Sequence, residues 1–185
     1  MAKRIAIVLA LLIMSAAGFA QVPTAGNLFL GYTLNRASTG YSNTGNLNGW
    51  ELSAEGKVAP FAGVVAELST QYGGLPILPI HQFGGIGPGN STTRVETLMF
   101  GPRFSVAVGK LRPFAEALVG AAHLHEDALE YAYGESGTAD ELGGGFDYRL
   151  KPMLSWRVQA DLLQTRFHQS LQNDVKVATG LVVNF

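Results

Sequence analysis

Residues 175–185 read Val175-Lys176-Val177-Ala178-Thr179-Gly180-Leu181-Val182-Val183-Asn184-Phe185, and the sequence stops there. Val175, Val177, Leu181, Val183 and Phe185 share one parity, with Thr179 between them, and Lys176 and Asn184 fall on the other. Alternation sustained over this length is the two-residue period of a β-strand with one apolar face. Strands of soluble proteins commonly run into a turn and polar residues. A strand that carries its apolar face through to a terminal aromatic suits a lipid-facing position that closes a barrel. On this parity Lys176 and Asn184 face the interior.

Working backwards, seven more segments alternate in the same way: Asn27–Asn35, Gly49–Val58, Phe61–Tyr72, Val95–Val108, Leu111–Ala122, Glu141–Leu150 and Met153–Gln164. In the second, Trp50, Leu52, Ala54 and Val58 oppose Glu51, Ser53, Glu55 and Lys57. In the seventh, Leu154, Trp156, Val158, Ala160 and Leu162 oppose Ser155, Arg157, Gln159 and Asp161. The connections alternate too. Val58-Ala59-Pro60-Phe61, Val108-Gly109-Lys110-Leu111 and Leu150-Lys151-Pro152-Met153 are tight. Residues 37–48, 73–93, 123–140 and 167–173 are longer and polar or glycine-rich. Tight turns at one end and long loops at the other, on strands near the roughly 9–11 residues that cross a bilayer, are the layout of a transmembrane barrel. The expected fold is all-β: an eight-stranded antiparallel up-and-down barrel. Eight strands leave an interior about wide enough for side chains to fill.

The beginning of the chain is set apart from this pattern. Lys3 and Arg4 precede an unbroken apolar run, Ile5 to Met14, and Gly18-Phe19-Ala20 offers a small-x-small cleavage site. Residues 1–20 read as a secretory signal peptide and residues 21–185 as the barrel domain. The run is too short for a membrane anchor. The chain has no cysteine, so neither a disulfide nor a lipoprotein linkage is expected. The formal net charge of −1 becomes −3 without Lys3 and Arg4, which gives no basic surface for nucleic acid. Charged residues are only 15% of the chain, glycines number 23, and no stretch after residue 20 is long and apolar enough for a transmembrane helix.

The polar faces carry charges at similar depth. Counted from the tight turns, Glu55, Glu67, Arg103, Glu116, Asp147 and Arg157 all lie a few residues in. The two-residue turn at Gly109-Lys110 sets Arg103 opposite Glu116, and Asp147 falls opposite or diagonal to Arg157. A charge facing lipid at mid-depth costs about 2–4 kcal/mol. Pairing inside the barrel avoids that cost, and arginine–carboxylate forks suit such an interior. These six residues are therefore expected to form a structural, salt-bridged plug, against the alternative of a hydrated lumen with loosely paired charges. Aromatic residues of the apolar parity are expected in two belts: Tyr148, Trp156, Phe104 and Phe185 toward the tight turns, and Tyr32, Trp50 and Tyr72 toward the loops.

Gly31-Tyr32, Asn46-Leu47-Asn48-Gly49-Trp50, Phe100-Gly101-Pro102-Arg103-Phe104, Gly143-Gly144-Gly145-Phe146-Asp147, Gln159-Ala160-Asp161 with Arg166-Phe167, and the terminal Phe185 resemble the small OmpA/OmpX-type outer-membrane barrels of Gram-negative bacteria. The resemblance covers residues 21–185. It implies a stand-alone barrel without a peptidoglycan-binding domain, located in the outer membrane, in contact with outer-membrane lipid and monomeric. It also implies that the barrel-assembly machinery reads Gly180, Val183 and Phe185 in the last strand; the polar residue that pattern carries two before the glycine is Ala178 here.

Chemistry beyond this is sparse. On a strand, His123 and His125 would point the same way, and Glu126 or Asp127 would be needed to complete a metal site. No fourth ligand has a defined spacing, so a solvated loop entrance is the plainer reading, and no metal or cofactor is expected. Gly84, Gly85, Gly87 and Gly89 lack the strand and helix that a phosphate loop requires. Ser91, His81, His123, Glu126 and His168 supply the residue types of a rim hydrolase without its spacing. The expected function is non-enzymatic: a structural, adhesive or surface-contact role carried by extracellular loops, toward an extracellular ligand the sequence does not name. Two alternatives stand beside it. One is a barrel-rim enzyme acting on lipid or peptide. The other is a soluble lipocalin-like periplasmic carrier, which needs an apolar interior and polar exterior.

Overall fold

The computed structural model describes residues 25–39, 43–76, 90–128, 131–167 and 170–185. Residues 1–20, read from the sequence as a signal peptide, the glycines Gly84, Gly85, Gly87 and Gly89, His81 and His168 lie outside these residues. Eight strands follow in order: β1 (Gly26–Thr39), β2 (Asn43–Ala59), β3 (Ala62–Pro76), β4 (Asn90–Ser105), β5 (Leu111–Ala128), β6 (Tyr131–Lys151), β7 (Leu154–Phe167) and β8 (Ser170–Asn184). Each pairs antiparallel with its neighbours in sequence, and β8 returns to β1 to close the barrel. The closing ladder runs from Asn27 opposite Asn184 to Arg36 opposite Val175. Closure removes the free edges of the sheet, which lipid cannot hydrogen-bond.

The tight turns set the register. Gly109 has φ of +63°, and Val108 and Leu111 bridge across the Gly109-Lys110 turn. A positive φ at the first central position of a two-residue hairpin is where glycine is favoured. The turn places Arg103 opposite Glu116. At the other two tight turns the ladders shift register, at Lys57/Ala59 and at Arg149/Lys151, beside Pro60 and Pro152. The β4–β5 ladder skips Gly101 and Pro102, the latter having no N–H to donate.

The parity read from the sequence separates outside from inside. Leu30, Leu98, Val119, Leu142, Leu162 and Leu181 are exposed on the outer wall, whereas Glu51, Glu67, Arg103, Arg157 and Lys176 are buried within. That arrangement is the reverse of a soluble ligand carrier's. The two aromatic groups point outward at the two ends: Tyr32 opposite Trp50, and Tyr148 opposite Trp156. Trp156 makes an edge-on contact with Phe146 at 6.4 Å, and its indole N–H donates to Thr179 Oγ1 at 2.9 Å. Asn48 donates to the Tyr32 hydroxyl at 2.9 Å.

The strands depart from expectation at the loop end. Much of 37–48 and 123–140 is strand rather than loop: β1 reaches Thr39, β2 starts at Asn43, β5 reaches Ala128 and β6 starts at Tyr131. Outward positions there are polar or small, as at Asn46, Asn48, His123, His125 and Ser136, so the apolar alternation that marks a strand disappears while its backbone ladder continues. Val106 and Ala107, read as strand, lie beyond the end of β4.

Candidate functional site

Inward-facing residues of all eight strands build a charged lumen, and its centre is Lys176 on β8. The ammonium group lies 2.5 Å from Glu67 on β3, 2.8 Å from Glu141 on β6, 3.1 Å from Glu51 on β2 and 3.9 Å from Asp161 on β7. One lysine thus ties five strands together across the barrel. Gln159 on β7 donates its amide N–H groups to Glu51 at 2.8 Å and to Asp161 at 3.1 Å, adding a second cross-barrel link.

Nearer the tight turns lies a second layer, built on two arginines. Arg103 on β4 holds Glu116 on β5 at 2.6 Å and Glu55 on β2 at 3.5 Å. Arg157 on β7 forks onto both oxygens of Asp147 on β6, at 2.6 and 3.0 Å. Both guanidinium groups lie against the Phe114 ring, at 4.6 and 4.7 Å from its centre, and Arg157 also lies 5.0 Å from that of Phe29. Planar, weakly hydrated guanidinium groups stack on aromatic faces more readily than an ammonium does. Asn27 donates to Glu55 at 2.6 Å, Lys57 also pairs with Glu55, and Lys57 donates to Ser105 at 2.8 Å.

The six charged residues singled out from the sequence are all buried in the lumen but do not form one cluster. Glu55, Arg103 and Glu116 are joined, and the Asp147–Arg157 pair in the same layer reaches them through Asn27, which accepts from Arg157 at 3.5 Å and donates to Glu55 at 2.6 Å. Glu67 belongs to the other layer, with Lys176. Glu51, Glu141 and Asp161 were legible as polar-face residues, but their shared partner was not. The lumen is also not wholly polar. Val65, Met99, Leu118, Ala122, Ala139 and Leu163 pack as a buried apolar cluster, and Phe29, Ala178 and Val182 as another. These inward apolar residues interrupt the polar parity and carry no signal of their own in the sequence.

In the last strand, Gly180 lies between Gly31 of β1 and Arg157 of β7, and Val183 and Phe185 face outward. Phe185 exchanges two backbone hydrogen bonds with Gly26, at 2.9 and 3.0 Å. His123 and His125 stand on β5 rather than in a loop, both on the outer wall, and His123 Nδ1 lies 2.9 Å from Ser136 Oγ on β6. The side chains of Ser91 and Glu126, and residues His81 and His168, lie outside what the structure describes.

Several solved structures share this fold. Ail, the attachment invasion locus protein of Yersinia pestis, superposes with a TM-score of 0.60 at 14% identity, over 87% of this chain and 98% of that one. Neisserial surface protein A superposes at 0.69 with 8% identity, over 87% and 99%. The outer membrane protein OprG from Pseudomonas aeruginosa superposes at 0.56 with 10% identity, over 87% and 95%. No protein-family model and no curated protein sequence matches the chain. The fold is that of the small eight-stranded outer-membrane barrels. With an apolar wall between two aromatic belts and its charges turned inward, the chain has the build of a membrane-spanning barrel.

Proposed function

We propose that this barrel is non-enzymatic, with a plugged lumen, and that it does structural or adhesive work through the strand hairpins that rise past the loop-side aromatic belt. The observation that carries the reading is the length of those hairpins. β6 has 21 residues and β5 has 18, where about 9–11 cross a bilayer. Past the row containing Trp50 and Ser136 the hairpins present Arg94, His125 and Arg36, a polar surface held on paired strands. A rigid, outward-facing polar surface on a filled barrel is suited to contact rather than passage. The same reading has the chain exported through residues 1–20, assembled by machinery that recognises Gly180, Val183 and Phe185, and monomeric in outer-membrane lipid.

The test is to display the full chain on Gram-negative cells beside a variant whose β5–β6 hairpin is shortened between Leu124 and Glu135. Attachment to host-cell and matrix surfaces, and survival under detergent stress, are compared. Equal folding with reduced attachment or survival is the expected result. A shortened variant indistinguishable from the parent in both assays would remove the contact role.

A second reading, a rim enzyme acting on lipid or peptide, rests on the Ser136–His123 contact of 2.9 Å. A hydroxyl beside an imidazole is the nucleophile–base arrangement of acyl hydrolysis. The pair opens onto an outer-wall groove of about 380 Å³ lined also by Trp50, Leu98 and Glu96. Glu96 lies opposite His123, and His123 opposite Ser136, in one row across β4, β5 and β6. Release of labelled fatty acid or peptide by refolded protein, abolished by Ser136→Ala, would replace the contact reading with this one.

A further inference from the structure

The tight-turn end of the barrel collects positive charge. Lys57, Lys110, Arg112, Arg149 and Lys151 lie there, five of the eleven lysines and arginines that follow residue 20. The acidic side chains on the adjoining rows are Glu55 and Asp147, and both are engaged. Glu55 is held by Lys57, Arg103 and Asn27, and Arg157 covers both oxygens of Asp147. The Phe185 carboxylate, also at this end, accepts from the Gly26 N–H at 2.9 Å. Residues 1–50 contain no acid.

The placement of these cations is specific. Arg112 on β5 lies opposite Asp147 of β6, and Arg149, two residues further along β6, lies opposite Ser155 of β7. Asp147 and Ser155 are buried, inward positions, so the two arginines continue the inner face of the wall to its mouth instead of turning into lipid. With Lys110 from the turn they line a cavity of about 150 Å³, whose other polar walls are Asp147, Ser155 and Asn184. A single ordered water needs about 10–15 Å³ of such space, so the cavity has room for a polyatomic ion. Among the described residues, Lys110, Arg112 and Arg149 make no ion pair and no side-chain hydrogen bond. Arg112 also repels the Lys57 ammonium, so like charge is left unneutralised around the rim. The cavity offers a neutral donor as well. Ser155, 5% exposed, accepts from Asn184 Nδ2 at 3.1 Å, and its own O–H has no acceptor among the described contacts.

We propose that Arg112, Arg149, Lys110 and the Ser155 hydroxyl form a site for a phosphate-class oxyanion at the tight-turn mouth, at the end away from the long loops. Guanidinium forks meet phosphate oxygens two at a time, and a lysine adds a mobile point charge. A phosphate dianion neutralises two of the three cations, which acetate or chloride does not. Asp147 does not oppose the ion, because its charge is already covered by Arg157. Lys151, in the neighbouring turn, raises the local potential but does not line the cavity. The phosphate can be a dissolved ion or part of a lipid headgroup in the adjoining leaflet, since the same donors serve both.

The full chain refolded in maltoside detergent supplies the test, titrated with inorganic phosphate and with acetate at matched ionic strength. Binding is read by calorimetry and by the shift in unfolding temperature. Phosphate is expected to bind and to raise the unfolding temperature with the logarithm of its concentration, as a ligand of the native state does, and acetate to do neither. Arg112→Gln and Arg149→Gln are each expected to weaken phosphate binding about tenfold or more, the worth of one charge-assisted hydrogen bond. Neither arginine has an acidic partner to leave behind, so both variants are expected to fold. Ser155→Ala keeps every charge and is expected to weaken binding several-fold. Lys151→Gln lowers the charge without touching the cavity, and Arg166→Gln lies at the other end; both are expected to bind phosphate as the parent does. Repeating the titration in a phosphocholine detergent, uncharged overall but with a phosphate in every headgroup, separates the two sources. Weaker binding there assigns the site to a lipid headgroup, and equal binding assigns it to dissolved phosphate. Acetate binding as tightly as phosphate, a loss in Lys151→Gln equal to that in Arg149→Gln, or parental binding by both Arg112→Gln and Ser155→Ala would overturn the proposal, as would the absence of phosphate binding in maltoside.

Discussion

At the scale of single residues, Lys176 holds the most in place. Its ammonium group is the only base within 4 Å of Glu51, Glu67, Glu141 and Asp161 among the described ion pairs. Removing one partner of a buried pair costs about 3–5 kcal/mol, because the remaining charge stays buried without compensation. Lys176→Met is therefore expected to lower unfolding stability by at least that range in urea titrations of protein refolded into vesicles. A loss below about 1 kcal/mol would show that the four carboxylates are neutralised some other way. On the outer wall the sign of charge substitution reverses in meaning. Leu142 neighbours Glu141 in sequence but faces lipid, so Leu142→Arg is expected to cost about 2–4 kcal/mol in the same vesicles. Glu141→Gln, one residue away, changes an interior pair and leaves the lipid face untouched. The polar parity made both faces legible from the sequence. The Lys176 hub was not, because its partners Glu67 and Glu51 come from β3 and β2, more than a hundred residues away, and counting from hairpin turns reaches only adjacent strands.

At the scale of elements, the tight turns are where local sequence decides geometry. Gly109 with its φ of +63° is the one described glycine in the left-handed region, and no atom crowds the position a Cβ would take. Gly109→Ala is therefore a test of backbone conformation alone and is expected to cost about 1 kcal/mol. Equal refolding yield and stability would show that the turn tolerates another conformation. Counting from this turn places Arg103 opposite Glu116, because the Val108–Leu111 bridge and the Val106-to-Pro113 backbone bond of 3.1 Å keep the register across the residues between the turn and β4. The upper parts of β5 and β6 were not legible for the opposite reason. Their pairing continues to Ala128 opposite Tyr131, but the outward positions His123, His125, Gly134 and Ser136 are polar or small, so no apolar alternation marks them. The last strand closes the barrel through the backbone bonds of Phe185 to Gly26, while its aromatic ring faces outward. Phe185→Gln keeps those backbone bonds. It is expected to leave refolding in detergent intact yet to reduce the folded fraction in the outer membrane of living cells, measured by heat-modifiable gel mobility. Equal yields in cells would remove the assembly role from this residue.

At the scale of the whole molecule, the two charged layers act in series. Arg157 and Asp161 face the lumen four residues apart on β7, about 13 Å along the strand, while Glu116 of the arginine layer reaches within 4.8 Å of Glu141 and Asp161, so the two layers adjoin at that carboxylate. An ion crossing the barrel meets both. Opening one layer leaves the other closed, so stability and conductance respond differently to substitution. Arg103→Met removes the partner of Glu116 and loosens the stack on Phe114. It is expected to destabilise the barrel by about 3–5 kcal/mol, while single-channel conductance in planar bilayers stays at the wild-type baseline because the Lys176 layer is intact. Lys176→Met behaves in the same way from the other side. Only the double variant, disrupting both layers, is expected to give a resolvable conductance, and folded protein must be verified before recording. Conductance from either single variant would show that one layer is the whole barrier. A silent but folded double variant would place the barrier instead in the apolar packing of Met99, Leu118 and Leu163, which the charged residues then merely border.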